Sequence, residues 1–455
     1  MKAATSTEPS LNRVIGPGLL LLFVIGDILG TGIYALTGKV ANQVGGAVWL
    51  PFLLAFTVAL LTAFSYLELV TKYPRAAGAA LYTHKAFHLH FLTFMVTFAV
   101  MCSGLTSASS AAKAFAGNFG SALHLSLGEG LALTAVALGF MTLIALVNFR
   151  GVGESVKANV VLTCVELTGL LIVIGVGAWA LGGGKGDLSR LGDFTTPSGE
   201  SVALSVTAGT ALAFFAMVGF EDSVNMAEET RDPTRIFPKV MLTGICTTGV
   251  IYVLVAVSAV ALVPPAELGR GETPLLKVVQ AGAPGFPISL FAWITMFAVA
   301  NSALINMMMA SRLLYGMANE RVLPRLLGRV HPTRRTPWVG IVFTTLIAFG
   351  LIWFADLAAL GGTTALLLLC VFTVVNVAVL VLRKDRVPHG HFRAPTVIPV
   401  LGAISCAFLA SPLSGRATAD YEVAGILLLI GVVLWAITYA VNRAMPRLDP
   451  NHLGE

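Results

Sequence analysis

The chain has 455 residues, of which 56% are hydrophobic and only 11% charged, with mean hydropathy +0.85. A soluble protein carries about 25% charged residues, so a water-soluble enzyme or binding domain is excluded, and the long apolar runs indicate a polytopic membrane protein. The net charge of +6 does not point to nucleic acid, because most of the 29 Lys and Arg fall in alternate loops between apolar runs, which is the positive-inside pattern.

About twelve spanning segments are predicted, at 14–43, 48–71, 86–112, 127–149, 156–182, 203–230, 238–263, 287–318, 337–357, 361–383, 396–413 and 421–442. Cationic loops follow the second (Lys72, Arg75, Lys85), fourth (Arg150, Lys157), sixth (Arg231, Arg235, Lys239), eighth (Arg321 to Arg335) and tenth (Arg383, Lys384, Arg386, Arg393). This places both tails, 1–13 and 443–455, on the cytoplasmic side of the cell membrane, and the polar start Met1 to Ser10 is not that of a cleaved signal. The stretch from Pro264 to Pro287 is predicted to be ordered but irregular. Blocks 14–182 and 203–383 are of similar length, which suits two inverted five-helix repeats followed by two extra helices at 396–442.

Two segments break in the middle. The first contains Ile25-Gly26-Asp27-Ile28-Leu29-Gly30-Thr31-Gly32, and the sixth contains Phe214-Phe215-Ala216-Met217-Val218-Gly219-Phe220-Glu221-Asp222. Carboxylates at membrane depth are costly and usually functional. Irregular backbone there is tolerated only inside protein or beside a water-filled cavity. A restarted helix exposes amide donors that suit a carboxylate ligand, although glycine in membrane helices also serves close packing. Paired breaks point to a small-molecule site between two halves of a transporter.

These residues resemble the amino acid–polyamine–organocation superfamily. Gly30-Thr31-Gly32-Ile33-Tyr34 is similar to its first-helix motif, Phe214-Phe215-Ala216 with Gly219-Phe220-Glu221 to its sixth-helix signature, and Glu228-Glu229-Thr230-Arg231-Asp232-Pro233 to the loop that follows. Tyr66, Glu68, Pro74 and Gly78, and later Arg312, Tyr315, Met317-Ala318 and Leu323-Pro324, extend the resemblance over most of 14–340. It implies an all-α leucine-transporter fold with helices 1 and 6 broken, and a secondary permease of amino acids working by alternating access. It further implies a carboxylate site at Gly30, Thr31 and Gly32. The amino group would sit near Phe215, Ala216 and Gly219, opposite Ile25 and Gly26, under an occluding ring from Phe215 or Phe220.

Segment 5 departs from that pattern. Many proton-coupled members carry a lysine where this chain has Glu166, which shares a helical face with Asn159, Thr163 and Gly169. A glutamate can itself carry a proton, so proton coupling is the expected energetic mode, with Glu166, Asp27 and Ser302 as candidate groups; a purely structural Glu166 stays open. Ser302 belongs to a polar face of segment 8 with Thr295 and Asn306, and segment 3 carries Ser103, Thr106, Ser107 and Ser110, read first as close packing. Glu228, Glu229 and Arg231 are candidates for a cytoplasmic gate, though loop charges are more often merely solvated.

The alternative reading is a polyamine or basic amino-acid exchanger, whose amine side chain would match Asp27, Glu221 and Asp222. No nucleophile–base pair, metal-ligand spacing or Walker-type loop appears, so neither an enzyme nor a cofactor is expected. The five cysteines lie in apolar segments at unrelated spacings and are read as small buried packing residues. The expected partners are the amino acid or amine, protons and the lipid bilayer; the residues leave an accessory subunit open.

Overall fold

A computed structural model describes residues 15–75, 78–125, 130–150, 155–195, 199–227, 229–319, 323–334 and 336–444, the side chains of 155–159, 319 and 442–444 excepted. Among them the regular structure is helical: α1 (Pro17–Ile28), α2 (Thr31–Val44), α3 (Trp49–Lys72), α4 (Gly78–Phe87), α5 (His90–Ala122), α6 (Leu131–Arg150), α7 (Ser155–Gly182), α8 (Val202–Ala213), α9 (Pro233–Leu262), α10 (Pro265–Leu268), α11 (Pro274–Gly282), α12 (Ile288–Asn319), α13 (Trp338–Phe354), α14 (Leu357–Leu382), α15 (Val397–Ala410) and α16 (Thr418–Ala444). Ten helical runs are long and apolar enough to cross a membrane, with α1–α2 as one run and α8 plus the turns to Met226 as another. Two shorter apolar helices, α13 and α15, stand where the ninth and eleventh segments are expected.

Helix starts follow local chemistry. Proline occupies the first position of α1, α9, α10 and α11, where its missing N–H is no loss. Ser201 accepts from Leu204 N at the start of α8, and Asp356 from Ala359 N at the start of α14. Three expectations need correcting. The Pro264–Pro287 stretch is not irregular but carries α10 and α11, because two of its prolines serve as helix starts. Residues before segment 3 form the separate helix α4, set off by His88 at φ 53°. Of the five cysteines only Cys102 and Cys406 are buried; Cys164, Cys246 and Cys370 lie on outward helix surfaces, where a small apolar side chain meets lipid as readily as protein.

Two sets of helices emerge from the packing. α1 lies along α9, α2 along α8, and α3 along both α8 and α9. The second set is built on α5, which runs beside α12 for much of its length and also packs on α14, α6 and α13. α7 bridges the two by touching α1, α9 and α12. Lipid gives no hydrophobic drive for helices to associate, so close approach and interhelical hydrogen bonds hold them. The α5–α14 seam shows both, with Thr106 and Thr364 sharing a hydroxyl–hydroxyl bond of 2.6 Å.

Charge is buried at both ends of the molecule. At one end Arg383 makes a bidentate pair with Glu68 (2.8 and 2.7 Å), Ala394 N donates to the same carboxylate, and Lys72 donates to the carbonyls of Leu382 and Asp385. This strap ties the segment after α14 to the end of α3. At the other end Arg416 pairs with Asp420 and donates to the carbonyls of Gly362 and Ala211. Removing one member of a buried pair strands the other charge. Glu68→Ala is therefore expected to destabilise the protein by about 3–5 kcal/mol, and replacing Arg383 with methionine in the same chain should recover part of that loss in thermal unfolding in detergent. Wild-type stability of Glu68→Ala would contradict the assignment.

Candidate functional site

The first interruption falls at Leu29 and Gly30. Leu29 turns out of the helix at ψ 117°, Gly30 is fully extended at φ −171° and ψ −157°, and α2 restarts at Thr31 without a side-chain cap. The first-turn amides of α2 therefore lack intrahelical partners. The carbonyl of Ile28, at the end of α1, accepts from the Tyr252 hydroxyl of α9 at 2.6 Å. The second interruption follows α8. Phe214–Met217 tighten into a 3-10 turn, Val218 is extended, and Gly219 sits at φ +125° before a further 3-10 turn, Asp222–Met226. The Glu221 carboxylate accepts from Gly219 N at 2.9 Å, which fixes this bend.

The two interruptions press together through glycine. A Cβ on Gly219 would overlap the Asp27–Ile28 peptide, and one on Gly32 would stand 2.5 Å from the Cα of Ala216. A Cβ on Gly30 would stand 2.6 Å from the Ser302 hydroxyl, and one on Gly26 would overlap Thr163 of α7. Between the two interruptions lies a cavity of about 30 Å³ lined by Asp27, Ile28, Gly30, Thr31, Gly32, Ser107, Phe215, Val218, Gly219, Asp222, Ser302 and Asn306. The carbonyl ends of α1 and α8 and the amide end of α2 converge here, and their partial charges suit a cation and an anion side by side.

Not every residue singled out in the sequence lines this cavity. Ile25 is buried beside it, and Gly26 faces α7. Ala216 backs Gly32. Of the two rings, Phe215 lines the cavity, whereas Phe220 packs edge-on to Tyr66 and against Phe372. Glu166 is fully buried on the face of α7 turned to α1, with neither carboxylate oxygen hydrogen-bonded. Asp27 Oδ2 and the hydroxyl of Thr31 are likewise buried without a partner, and Thr31 is only 2% exposed. Asp27 lies within electrostatic reach of Asp222, Glu221 and Glu166. Glu228 lies outside the described residues. Its neighbours make main-chain bonds to the residue ahead of α1: Ile15 N donates to Glu229 O and Arg231 N to Ile15 O, each at 3.0 Å.

Sequence reasoning missed Tyr34 and Tyr252. Tyr34 donates its hydroxyl to the Glu166 carbonyl at 2.5 Å, as Tyr252 does to Ile28. Tyr34 entered only as the last residue of the first-helix motif, and the signal both share is a phenol inside an apolar run, where its O–H needs a partner.

From the central cavity a path leads toward the end that carries the Glu68–Arg383 strap. A second cavity of about 30 Å³ shares Ser107, Val218, Asp222 and Asn306 with the first. It shares Val100, Glu221, Asp222, Met309 and Leu313 with a vestibule of about 520 Å³ bounded by α3, α4, α5 and α12. Toward the opposite end, Arg416, Asp420, Asp356 and Gln43 border a separate cavity of about 110 Å³.

A family model described as amino acid permease matches residues 19–440. The chain belongs to this family. Among its relatives, the methylthioribose transporter of Bacillus subtilis is 29% identical over 91% of each chain, and a branched-chain amino acid permease of the same organism is 27% identical over 95% of this chain and 94% of its own. Cationic amino acid transporter 9 of Arabidopsis thaliana, chloroplastic, is 28% identical over 72% of this chain and 59% of its own. The family and these relatives are transporters rather than enzymes, and this permease-family chain is accordingly a multi-pass membrane protein.

The close approach of the two interruptions is testable. At φ +125°, hard against a peptide, Gly219→Ala is expected to cost about 1–3 kcal/mol, and Tyr252→Phe about 1 kcal/mol through its lost hydrogen bond. Thermal unfolding of the purified variants checks both, and wild-type stability of Gly219→Ala would contradict the packing described.

Proposed function

We propose that the protein is a secondary active permease that carries amino acids across the cell membrane by alternating access, driven by protons. One observation carries this reading: two interrupted helices enclose a small cavity that offers the uncapped start of α2, carbonyl ends and the unpartnered hydroxyl of Thr31. Gly30, Thr31 and Gly32 take the substrate carboxylate. The end of α1, with Ile25 and Gly26 behind it, and the Phe215 to Gly219 turn take the amino group, and Phe215 closes over it. Phe220 holds that turn from behind.

A cavity of about 30 Å³ holds no more than about two waters, so the site must widen to admit substrate. The wide vestibule, at the end of the molecule rich in Lys and Arg, is the cytoplasmic mouth, and both termini lie on that side. Residues 14–182 and 203–383 are the two inverted repeats, each led by a broken helix. Motion between the set around α1, α3, α8 and α9 and the set around α5 and α12 alternately opens the two sides. Glu229 and Arg231, bonded through their backbone to Ile15, form the inner gate together with Glu228.

Asp27 and Glu166 are the proton carriers, with Ser302 beside Gly30 relaying the state of the first interruption to α12. What supports this is the absence of any hydrogen bond to three of their four carboxylate oxygens (Asp27 Oδ2 and both of Glu166), in a place where an unpaired charge is costly. At one proton per substrate, a gradient of one pH unit supports about tenfold accumulation. Proteoliposomes with an imposed pH gradient are expected to show it, and Glu166→Gln to equilibrate substrate without accumulating it. Unchanged accumulation by Glu166→Gln would remove Glu166 from the coupling path.

A further inference from the structure

We infer that Asp222 reads the substrate side chain, and that the preferred substrates are amino acids with a second positive charge at the end of an extended side chain, of the lysine and ornithine type. The inference rests on the permease reading above. Asp222 lines all three cavities along the path: the central one, the one beside it, and the vestibule. Its carboxylate makes no hydrogen bond or ion pair with another described residue, whereas the adjacent Glu221 is engaged by Gly219 N. Among the described residues no Lys or Arg lines the two inner cavities; Arg312 and His90 line only the vestibule.

The central cavity is independently marked as a ligand site by the buried, unpartnered hydroxyl of Thr31. For a substrate whose carboxylate meets the start of α2, the second cavity adjoins the first and offers room for the side chain. Asp222 stands with Ser107 and Asn306 where the two cavities meet and lines the vestibule as well, so an ammonium carried along this path stays beside it, and Val100, Met309 and Leu313 further along suit a methylene stem. A neutral side chain leaves the carboxylate at Asp222 without a counter-charge in an apolar setting. A terminal ammonium supplies it, and the attraction is strong because little water screens it.

The test compares lysine with norleucine, which has the same stem without the ammonium, by titration of the purified protein at fixed pH. Wild type is expected to bind lysine at least about tenfold more tightly than norleucine. Asp222→Asn should bring that ratio to within about threefold, while Asp222→Glu keeps a preference for lysine. Should Asp222→Asn not fold, Asp222→Ser carries the same comparison, and the wild-type ratio stands on its own. A wild-type ratio near one, or an unaltered ratio in Asp222→Asn, overturns the inference. So does an Asp222→Asn whose lysine preference persists while its pH dependence changes, since that makes Asp222 a proton carrier. If norleucine binds and lysine binds no better, the permease reading survives and only the role of Asp222 falls; if no amino acid binds wild type, both fall.

Discussion

The site depends on backbone meeting backbone. Gly219 lies on the Asp27–Ile28 peptide and Gly32 on the backbone of Ala216. That contact is available only because both helices stop there, and stopping is costly where lipid offers no hydrogen bonds. Tyr252 offsets part of the cost at the Ile28 carbonyl, and Glu221 another part at Gly219 N. The first-turn amides of α2, which have no acceptor within the helix, are those the substrate carboxylate is proposed to meet. The groups that stabilise the interruptions and the groups that make the site are thus parts of one arrangement.

Around this contact the charge is divided into two kinds. Arg383 with Glu68, and Arg416 with Asp420, are paired, hydrogen-bonded and placed toward the two ends of the molecule, where they tie helices together. Asp27 and Asp222 line the central path and Glu166 lies buried within electrostatic reach of Asp27, none of them with a cation partner among the described residues. A paired carboxylate has little reason to change state as the protein moves. An unpaired one, alternately facing water and protein, is the kind that can exchange a proton or hold a cationic group, and the proposed roles follow that division.

Much of this was legible in the sequence. Spanning helices declare themselves by apolar length, and Gly30-Thr31-Gly32 and Gly219 marked both interruptions because glycine with a nearby carboxylate is out of place in a plain span. Asp27 and Glu166 stood out for the same reason. What the sequence could not show was which long-range partner each group would find. Tyr252 reaches Ile28 across 224 positions, a pairing that no local pattern encodes. Phe215 and Phe220 look equivalent in the sequence, and only the turn between them sends one to the cavity and the other to Tyr66 and Phe372. In the sequence Asp222 stands out only as one of three acids that could match an amine side chain, and as the less informative of an adjacent pair because neighbouring helical residues face different ways. The chain there is not α-helical, and Asp222 lines the second cavity and the vestibule together with Glu221.

The central claim is that the two interruptions receive the two charges of a free amino acid. The most direct measurement titrates the purified protein with leucine and lysine, and with the methyl ester and N-acetyl derivative of each, following thermal stabilisation. The account predicts that the free amino acids stabilise the protein and that blocking either the carboxylate or the amino group abolishes the effect. Equal stabilisation by the blocked forms would contradict it.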